Sequence, residues 1–557
     1  MNGAQALMKT LADAGVTVCF SNPGTSEMHF VAALDAEPRM RAVLALFEGV
    51  ATGAADGYAR MAGKPAATLL HLGCGLGNGL ANLHNARKGR VPIVNIVGDH
   101  ATHHVKYDAQ LQSDIETVAR NVSSWVRTSA STAALAADAA EAVATAMGGQ
   151  GGGGQVATLI LPADVSWGEG GVPAALPTLA LPPVADEAVI AAIAQAIQSG
   201  EKTALLLGAR ALREPALLAA SRIAVQAGVQ LFAEVFPTRI ERGAGLPHVE
   251  RIAYLAELAS VQLQGFKHLI LVDAKSPVSF FAYPGKASDL VPAGCTVHTL
   301  ASPTQDALGG LERLVRVLGA EGATPRLQAP LRPDRPTGKL TAEKVCKAVG
   351  HLLPERAIIV DEAQTSGVML PHFTKGAPRH DVVTLTGGAI GQGLPNAVGA
   401  AIACPDRPVL ALVGDGSAMY TVQALWTMAR ERLNVISIVF NNKSYAILNV
   451  ELQRVGAESA GGGRGEKARS QLDLSNPGLD FVQMAGSMGV HAVRATTAEE
   501  FNTALENALR SPGPHLIEAV VPNAFAGLKL RLLPHVLSSL ASLPQPLARA
   551  IKRKVAP

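Results

Sequence analysis

The sequence predicts an α/β protein made of three doubly wound, parallel-sheet domains. Three observations carry the prediction. The chain has 557 residues, more than one hydrophobic core organises, which points to about three domains. Apolar runs of strand length recur along it, separated by helical patterns, the rhythm of repeated βαβ units. Two proline-rich stretches interrupt that rhythm. One carries Pro173, Pro177, Pro182 and Pro183, the other Pro325, Pro330, Pro333 and Pro336. Extended segments of this kind join domains. The expected domains are therefore 1–171, 186–322 and 338–530, followed by a tail at 531–557.

In the first domain Ala4–Ala14 is amphipathic, and Val16–Phe20 reads as a strand ending in the turn Ser21-Asn-Pro-Gly-Thr25. Val43–Phe47 is a second strand, and Glu48 follows it at the start of a helix of small residues, Val50–Arg60. Ala67–His71 is a third strand, and the glycine-rich run Gly73–Gly79 is expected as a loop opening onto another helix. Pro92–Val97 and Val156–Leu161 are further strands, with a glycine-rich surface connection at 148–154 before the last. The central domain offers Thr203–Leu207 and His268–Asp273. The third offers Ala357–Val360, Pro408–Val413, Val435–Phe440 and His515–Val521. The continuous apolar character of the 408–413 and 435–440 runs marks strands covered on both faces.

Composition excludes several function classes. Net charge is +3, only 4% of residues are aromatic, and the longest obvious basic run is the terminal Lys552-Arg553-Lys554. Without basic and aromatic residues interleaved, nucleic acid is not an expected partner. The five cysteines are odd in number and widely spaced, with no Cys-x-x-Cys, which fits neither a disulfide framework nor a zinc site. No secretory leader pattern and no apolar run of membrane-span length occur, so a cytoplasmic protein without a membrane partner is expected.

The most informative residues lie at the ends of the two buried runs. Gly414-Asp415-Gly416-Ser417 follows the first, and Asn441-Asn442 follows the second. The segment between, 417–440, holds 24 residues (440 − 416), enough for one helix and a return strand. Asp415 and Asn442 should then emerge side by side at strand carboxyl ends, where open α/β sheets bind ligands. A carboxylate, an amide oxygen and nearby carbonyls are hard ligands suited to Mg²⁺. Glycine at 414 and 416 allows backbone N–H groups to approach a phosphate closely.

This arrangement resembles the thiamine diphosphate motif, and two further blocks extend the resemblance over nearly the whole chain. One is Phe47-Glu48-Gly-Val-Ala-Thr-Gly-Ala-Ala-Asp-Gly-Tyr-Ala-Arg60, the other Gly387-Gly-Ala-Ile-Gly-Gln-Gly-Leu-Pro395. The chain is most similar to the acetolactate synthase and benzoylformate decarboxylase group. The resemblance implies roles. Glu48 would bond the aminopyrimidine ring of the cofactor. The carbonyl of Gly388 would accept its exocyclic amine, and Ile390 would hold the cofactor bent. Gln364, Thr365, Gly414, Gly416, Ser417 and Asn442 would hold the diphosphate end. Asp415, Asn442 and the main-chain oxygen of Ser444 would bind Mg²⁺.

The implied reaction is cofactor-based nucleophilic attack on a small 2-oxo acid with release of carbon dioxide. The implied assembly is a homodimer or homotetramer, with the site between the first domain of one subunit and the third of another. His71 matches a histidine of benzoylformate decarboxylases and suits proton transfer. His103-His104 resembles the histidine pair of pyruvate decarboxylases, or is a surface pair. Thr25, Leu448 and Glu451 are candidates for contact with substrate, and Ala457–Leu472 for a lid over the site. The departure from benzoylformate decarboxylases is Phe280-Phe281-Ala282, where those enzymes carry a second catalytic histidine.

A 2-oxo acid decarboxylase is the first expectation and an acetolactate-synthase-like carboligase the second. A flavin-bearing oxidase with FAD on the central domain, near Gly208-Ala-Arg210, is third, and a non-catalytic member of the family is fourth. The Gly73–Gly79 run as a dinucleotide fingerprint competes weakly, since it lacks the full Gly-x-Gly-x-x-Gly spacing.

Overall fold

The computed structural model describes residues 1–149, 153–455, 465–523, 536–537, 539–540 and 543–555. The first sheet has strands β1 (Val18–Asn22), β2 (Arg41–Leu44), β3 (Ala66–Leu70), β4 (Ile93–Asp99), β5 (Trp125–Thr128) and β6 (Val156–Pro162), in the order β2-β1-β3-β4-β6-β5. All its pairings are parallel. The central region adds β7 (Thr203–Leu207), β8 (Gln230–Ala233), β9 (Ile240–Arg242), β10 (Glu250–Arg251), β11 (His268–Val272) and β12 (Thr296–Ala301). Five of them form a parallel sheet, β10-β8-β7-β11-β12.

The third sheet is built from β13 (Ile358–Glu362), β14 (His380–Thr384), β15 (Val409–Gly414), β16 (Val435–Asn441), β17 (His491–Ala495) and β18 (His515–Val520). Its order is β17-β18-β16-β15-β13-β14-β9. β9 leaves the central region and pairs antiparallel with β14, Ile240 opposite Val382. The polypeptide of the central region thus closes one edge of the third sheet, and a closed edge removes a row of unpaired N–H and C=O groups.

Helix Glu48–Ala62 is rich in Ala and Gly, as is helix Gly393–Ala403. Small residues on both let the two backbones approach closely, and they pack against each other in a shared apolar core that includes Val50, Ala54, Leu394 and Val398. A second core joins the central and third sheets through Leu205, Ile270, Leu412 and Phe440. Buried Arg60 locks the three regions together. It pairs with Asp56 at 2.7 Å and donates to the main-chain oxygens of Thr238 and Thr384 at 3.2 and 2.7 Å. A buried guanidinium left without those acceptors would be costly.

One expectation needs correction here. Gly73–Gly79 is not a loop but the first turns of helix Leu72–Gly89. A Cβ on Gly75 would lie 3.0 Å from Glu48 Oε1, and one on Gly79 would lie 2.9 Å from Thr52 Cγ2. These glycines serve close helix–helix approach rather than a nucleotide turn. Part of the tail expected at 531–557 packs on the central region. Leu537, Leu540 and Ala548 bury against Leu258 and Val261 of the central helix Ala256–Leu263. Part of the 148–154 connection and residues 456–464 of the expected lid lie outside the described residues, while Glu466–Ser470 is helical.

Candidate active site

The carboxyl edge of the first sheet gathers five polar residues. Thr25 opens a short 3₁₀ turn after β1 and is exposed. Glu27, in the same turn, is fully buried. Its Oε2 accepts from the Gly24 N–H at 2.7 Å and sits 2.8 Å from His71 Nδ1 at the end of β3. Glu48 is 7% exposed and begins its helix just after the end of β2 at Leu44. Asn78 donates to Glu48 Oε2 at 3.0 Å. The start of helix Leu72–Gly89 thereby brings Glu48 and His71 to one end of the sheet. Glu27 and Asn78 were not foreseen. They lie 44 and 30 residues from the groups they bond, and only the strand order joins them.

His104 is placed differently. It is exposed in the turn after β4, its ring 5.3 Å from His100 and 5.8 Å from Tyr107. His103 points to Asp164 at 3.8 Å. These neighbours describe a surface cluster rather than an extension of the Glu27–His71 pair.

The third sheet presents the other half. β15 and β16 are adjacent and parallel, with Gly414 opposite Phe440. The Asp415 carboxylate accepts from Gly416 N–H at 2.8 Å and from Lys443 N–H at 2.6 Å. Lys443 adopts a left-handed φ of 59°, which turns its N–H toward that carboxylate. Asn442 Oδ1 accepts from the Ser444 N–H at 2.9 Å, and the Ser444 carbonyl accepts from Ala446 at 2.9 Å. Burial pushes the Asp415 carboxyl above its ordinary range, against the backbone donors that pull it down.

Several features of this edge suit a magnesium diphosphate. A buried carboxylate with little positive charge beside it favours a cation. Among the described residues no group of three or more His, Cys, Asp or Glu forms a metal cluster, so the donors would be Asp415, Asn442 and main-chain oxygen. Beside Gly414 there is open space, the nearest atom to a Cβ there being Ser417 Oγ at 3.8 Å. Gln364 and Thr365 follow β13 in a 3₁₀ turn, and Ser366 Oγ lies 3.5 Å from Asn442 Nδ2.

The turn carrying Gly388 and Ile390 is held by Glu362, the last residue of β13. Its carboxylate accepts from Gly391 and Gly393 at 2.6 Å each and from Gln392 at 3.2 Å. Burial pushes this carboxyl up to about 7. Asn85 fastens the same turn to the first domain, donating to the Ala389 carbonyl at 2.8 Å and accepting its N–H at 3.1 Å. Gly388 has a φ of 79°, and a Cβ there would lie 2.5 Å from Phe280 Cζ.

Phe280 belongs to an aromatic cluster with Phe236, Tyr254 and Phe281, ring centroids 4.9–5.9 Å from its own. Glu451 lies on helix Ala446–Arg454, where Oε1 is buried 3.6 Å from Arg454. Burial raises the Tyr283 hydroxyl, and the neighbouring Glu451 carboxylate raises it further. Glu451 therefore faces the central loop. Leu448, on the same helix, is 44% exposed.

The turn after β7 is closed by its own side chains. Arg210 donates to Asp273 at 2.9 Å and to the carbonyls of Pro303 and Gln305 at 2.8 Å each. Arg90 from the first domain also pairs with Asp273, at 2.8 Å. The crevice between β7 and β11, where connections diverge and nucleotides would enter, holds a guanidinium instead.

Comparison with known proteins agrees with this geometry. The chain belongs to the thiamine pyrophosphate enzyme family: residues 1–120 match the N-terminal TPP-binding domain and residues 362–519 the C-terminal TPP-binding domain. It is 58% identical over 526 residues to a candidate acetolactate synthase large subunit of Mycobacterium tuberculosis, IlvX, covering 94% of this chain and 99% of that protein. It is 29% identical to the benzoylformate decarboxylase of Pseudomonas aeruginosa, over 90% of this chain and 96% of the relative. In fold it is similar to the thiamine diphosphate-dependent 4-hydroxybenzoylformate decarboxylase of Rhodococcus jostii RHA1, with a TM-score of 0.80 at 24% identity, covering 94% and 99% of the two chains. No helix among the described residues is long and apolar enough to cross a membrane.

Proposed function

We propose that the protein is a magnesium-dependent carboligase of acetolactate-synthase type, acting as a cytoplasmic homo-oligomer on small 2-oxo acids. When bound, thiamine diphosphate supplies a nucleophilic carbon and an electron sink, so that a 2-oxo acid can lose carbon dioxide. The chain's own residues do the rest. Asp415, Asn442 and the Ser444 carbonyl hold the metal, and Gln364, Thr365 and Ser417 hold the diphosphate. Glu48, backed by Asn78, exchanges a proton with the aminopyrimidine ring. Gly388 and Ile390 fix the ring's orientation, and Glu362 fixes them.

The observation that carries the carboligase reading is Phe280 against Gly388. Once carbon dioxide leaves, the acyl fragment either takes a proton or joins a second carbonyl. At this point the chain presents Phe280, packed among Phe236, Tyr254 and Phe281. None of the four is an effective acid near neutral pH, and burial raises the Tyr254 hydroxyl further. Protonation from this side is disfavoured, and capture by a second carbonyl gains. The 58% identical relative described as a candidate acetolactate synthase large subunit supports the same reading. A simple decarboxylase is the second reading, favoured by the Glu27–His71 pair, which could deliver a proton from the first domain.

The test is incubation with pyruvate, thiamine diphosphate and Mg²⁺, following carbon dioxide and both products. Acetolactate as the main product is expected. Acetaldehyde alone would favour the decarboxylase. A protein that neither turns over a 2-oxo acid panel nor binds thiamine diphosphate by calorimetry would sink both.

A further inference from the structure

The amino-terminal edge of the central sheet carries three polar side chains that the reaction does not use. His268 opens β11, His298 lies on the neighbouring edge strand β12, and Glu201 stands two residues before β7. His268 Nε2 lies 3.0 Å from Glu201 Oε2, and His268 Nδ1 lies 3.1 Å from His298 Nε2. A carboxylate only accepts, so Nε2 of His268 carries the ring proton, and in the neutral ring Nδ1 is a lone pair. That lone pair is aimed at a second imidazole nitrogen. The two rings can share one proton there. Their nitrogens also have the placement of metal ligands. A tetrahedral zinc ion about 2.0–2.1 Å from each would set them about 3.3 Å apart, close to the spacing found. A ligating histidine characteristically donates its other ring N–H to a carboxylate, and Glu201 is in that position. Burial, with His268 beside it, lowers His298 from its ordinary range, which keeps its ring neutral near pH 7. Thr296, Val297 and Thr299 of the same edge strand are exposed, so an ion and its waters can reach the pair.

We propose that this edge binds one divalent transition-metal ion of the zinc type, with His268 Nδ1 and His298 Nε2 as ligands and Glu201 as the outer carboxylate. Glu201 lies on the far side of the His268 ring, and among the described residues no group of three such side chains forms a metal cluster. Two ligands therefore come from the protein, and water completes the shell. Imidazole nitrogen suits zinc, copper and nickel, whereas Mg²⁺ takes oxygen, so this site is distinct in chemistry from the one at Asp415. The ion fastens edge strand β12 to β11 and, through Glu201, to the segment entering β7. That is the end of the strands opposite the turn held by Arg210. The proposal rests on none of the roles assigned for the reaction.

The test uses the full chain, freed of transition metals on a chelating resin and then supplied with thiamine diphosphate and excess Mg²⁺, which keeps zinc off Asp415. Calorimetric titration with zinc chloride at about pH 7.5, where both imidazoles are neutral, should show one ion per chain with a Kd below about 0.1 mM. Zinc should also raise the thermal midpoint. His268→Gln and His298→Gln should each abolish the binding and the thermal shift. They lie on different strands, so a folding defect in one leaves the other to decide. Glu201→Gln keeps both ligands and should weaken binding by ~10–100-fold, the usual cost of losing an outer carboxylate. The control is His491→Gln, from the other facing pair, whose ring lies 5.8 Å from that of His515; it should bind zinc as the parent does. Loss in both histidine variants with binding kept in the control supports the proposal. No zinc binding by the parent, binding that persists in both histidine variants, parental affinity in Glu201→Gln, or loss in His491→Gln overturns it.

Discussion

Glu362→Gln tests how the candidate site is held together. Both oxygens of the Glu362 side chain accept backbone N–H groups, Oε1 from Gly391 and Gln392 and Oε2 from Gly393. An amide oxygen can replace Oε1. The amide nitrogen cannot replace Oε2, because it would meet the Gly393 N–H donor to donor. The glutamine is therefore inferior to the carboxyl in either protonation state. One hydrogen bond is lost and a buried N–H is left unpaired, which costs about 2 kcal/mol. That cost falls on the turn presenting Gly388 and Ile390, so thiamine diphosphate affinity should fall about 30-fold. Calorimetric titration of the cofactor at saturating Mg²⁺ reads the loss, with circular dichroism confirming that the variant is folded. A variant whose affinity stays within about threefold of the parent would show that the turn does not depend on Glu362.

Five further outcomes are expected. Glu48→Gln should lower turnover by ~10²–10⁴, the usual range for a positioned proton-transfer group, and unchanged turnover would remove Glu48 from the mechanism. Asp415→Ala should lose the cofactor on dialysis against a chelator. If Glu48 and Asp415 act across a subunit interface, mixing the two inactive variants should restore about a quarter of the activity through hybrid dimers with one intact site; no recovery after proven subunit exchange would place both groups in one chain. Phe280→His should shift pyruvate products toward acetaldehyde by up to ~10², measured as the acetaldehyde to acetolactate ratio, and an unchanged ratio contradicts the partition argument. His380 is 3% exposed, and burial with nearby Arg242 lowers it to about 4. The unfolded chain binds this proton first, so stability falls as pH drops from about 6.5 to about 4, by up to ~3 kcal/mol. His380→Gln should flatten that part of the urea midpoint against pH.

The strands flanking the site were legible because they are continuous apolar runs, and the 24 residues between the two motifs set their neighbours. Gly414 opposite Phe440 is what that spacing requires. β9 and β10 were not legible. They have three and two residues, too few to show a period, and β9 exists because β14, some 140 residues later, offers it an edge. The glycines at 73–79 misled for a related reason. A run of glycines signals a turn when read locally, whereas here helix Glu48–Ala62 demands their small size from outside. Of the site residues, those at strand ends were found by position. Glu27, Asn78 and Glu362 were missed, because what marks them is the partner they bond, and the partner is distant in sequence.

This difference separates two kinds of residue in the site. Glu362 and Asp415 are fixed to backbone N–H groups, three and two bonds respectively. Substituting them disturbs the turns that form the site. Phe280, Leu448 and Glu451 stand on a central loop and one helix, held by ring packing, partial exposure and an ion pair between side chains. Substitutions there cost less, since they leave no backbone donor unpaired. On the proposed reading, the machinery for the cofactor and the choice of product are thus carried by separate parts of the structure. The central region can alter which carbonyl is accepted, and whether the fragment is protonated or joined, while Glu48, Asp415 and the Glu362 turn stay as they are. This accounts for a chain that is similar at once to a synthase and to decarboxylases. It also places the decisive experiment at Phe280 rather than at any residue that touches the diphosphate.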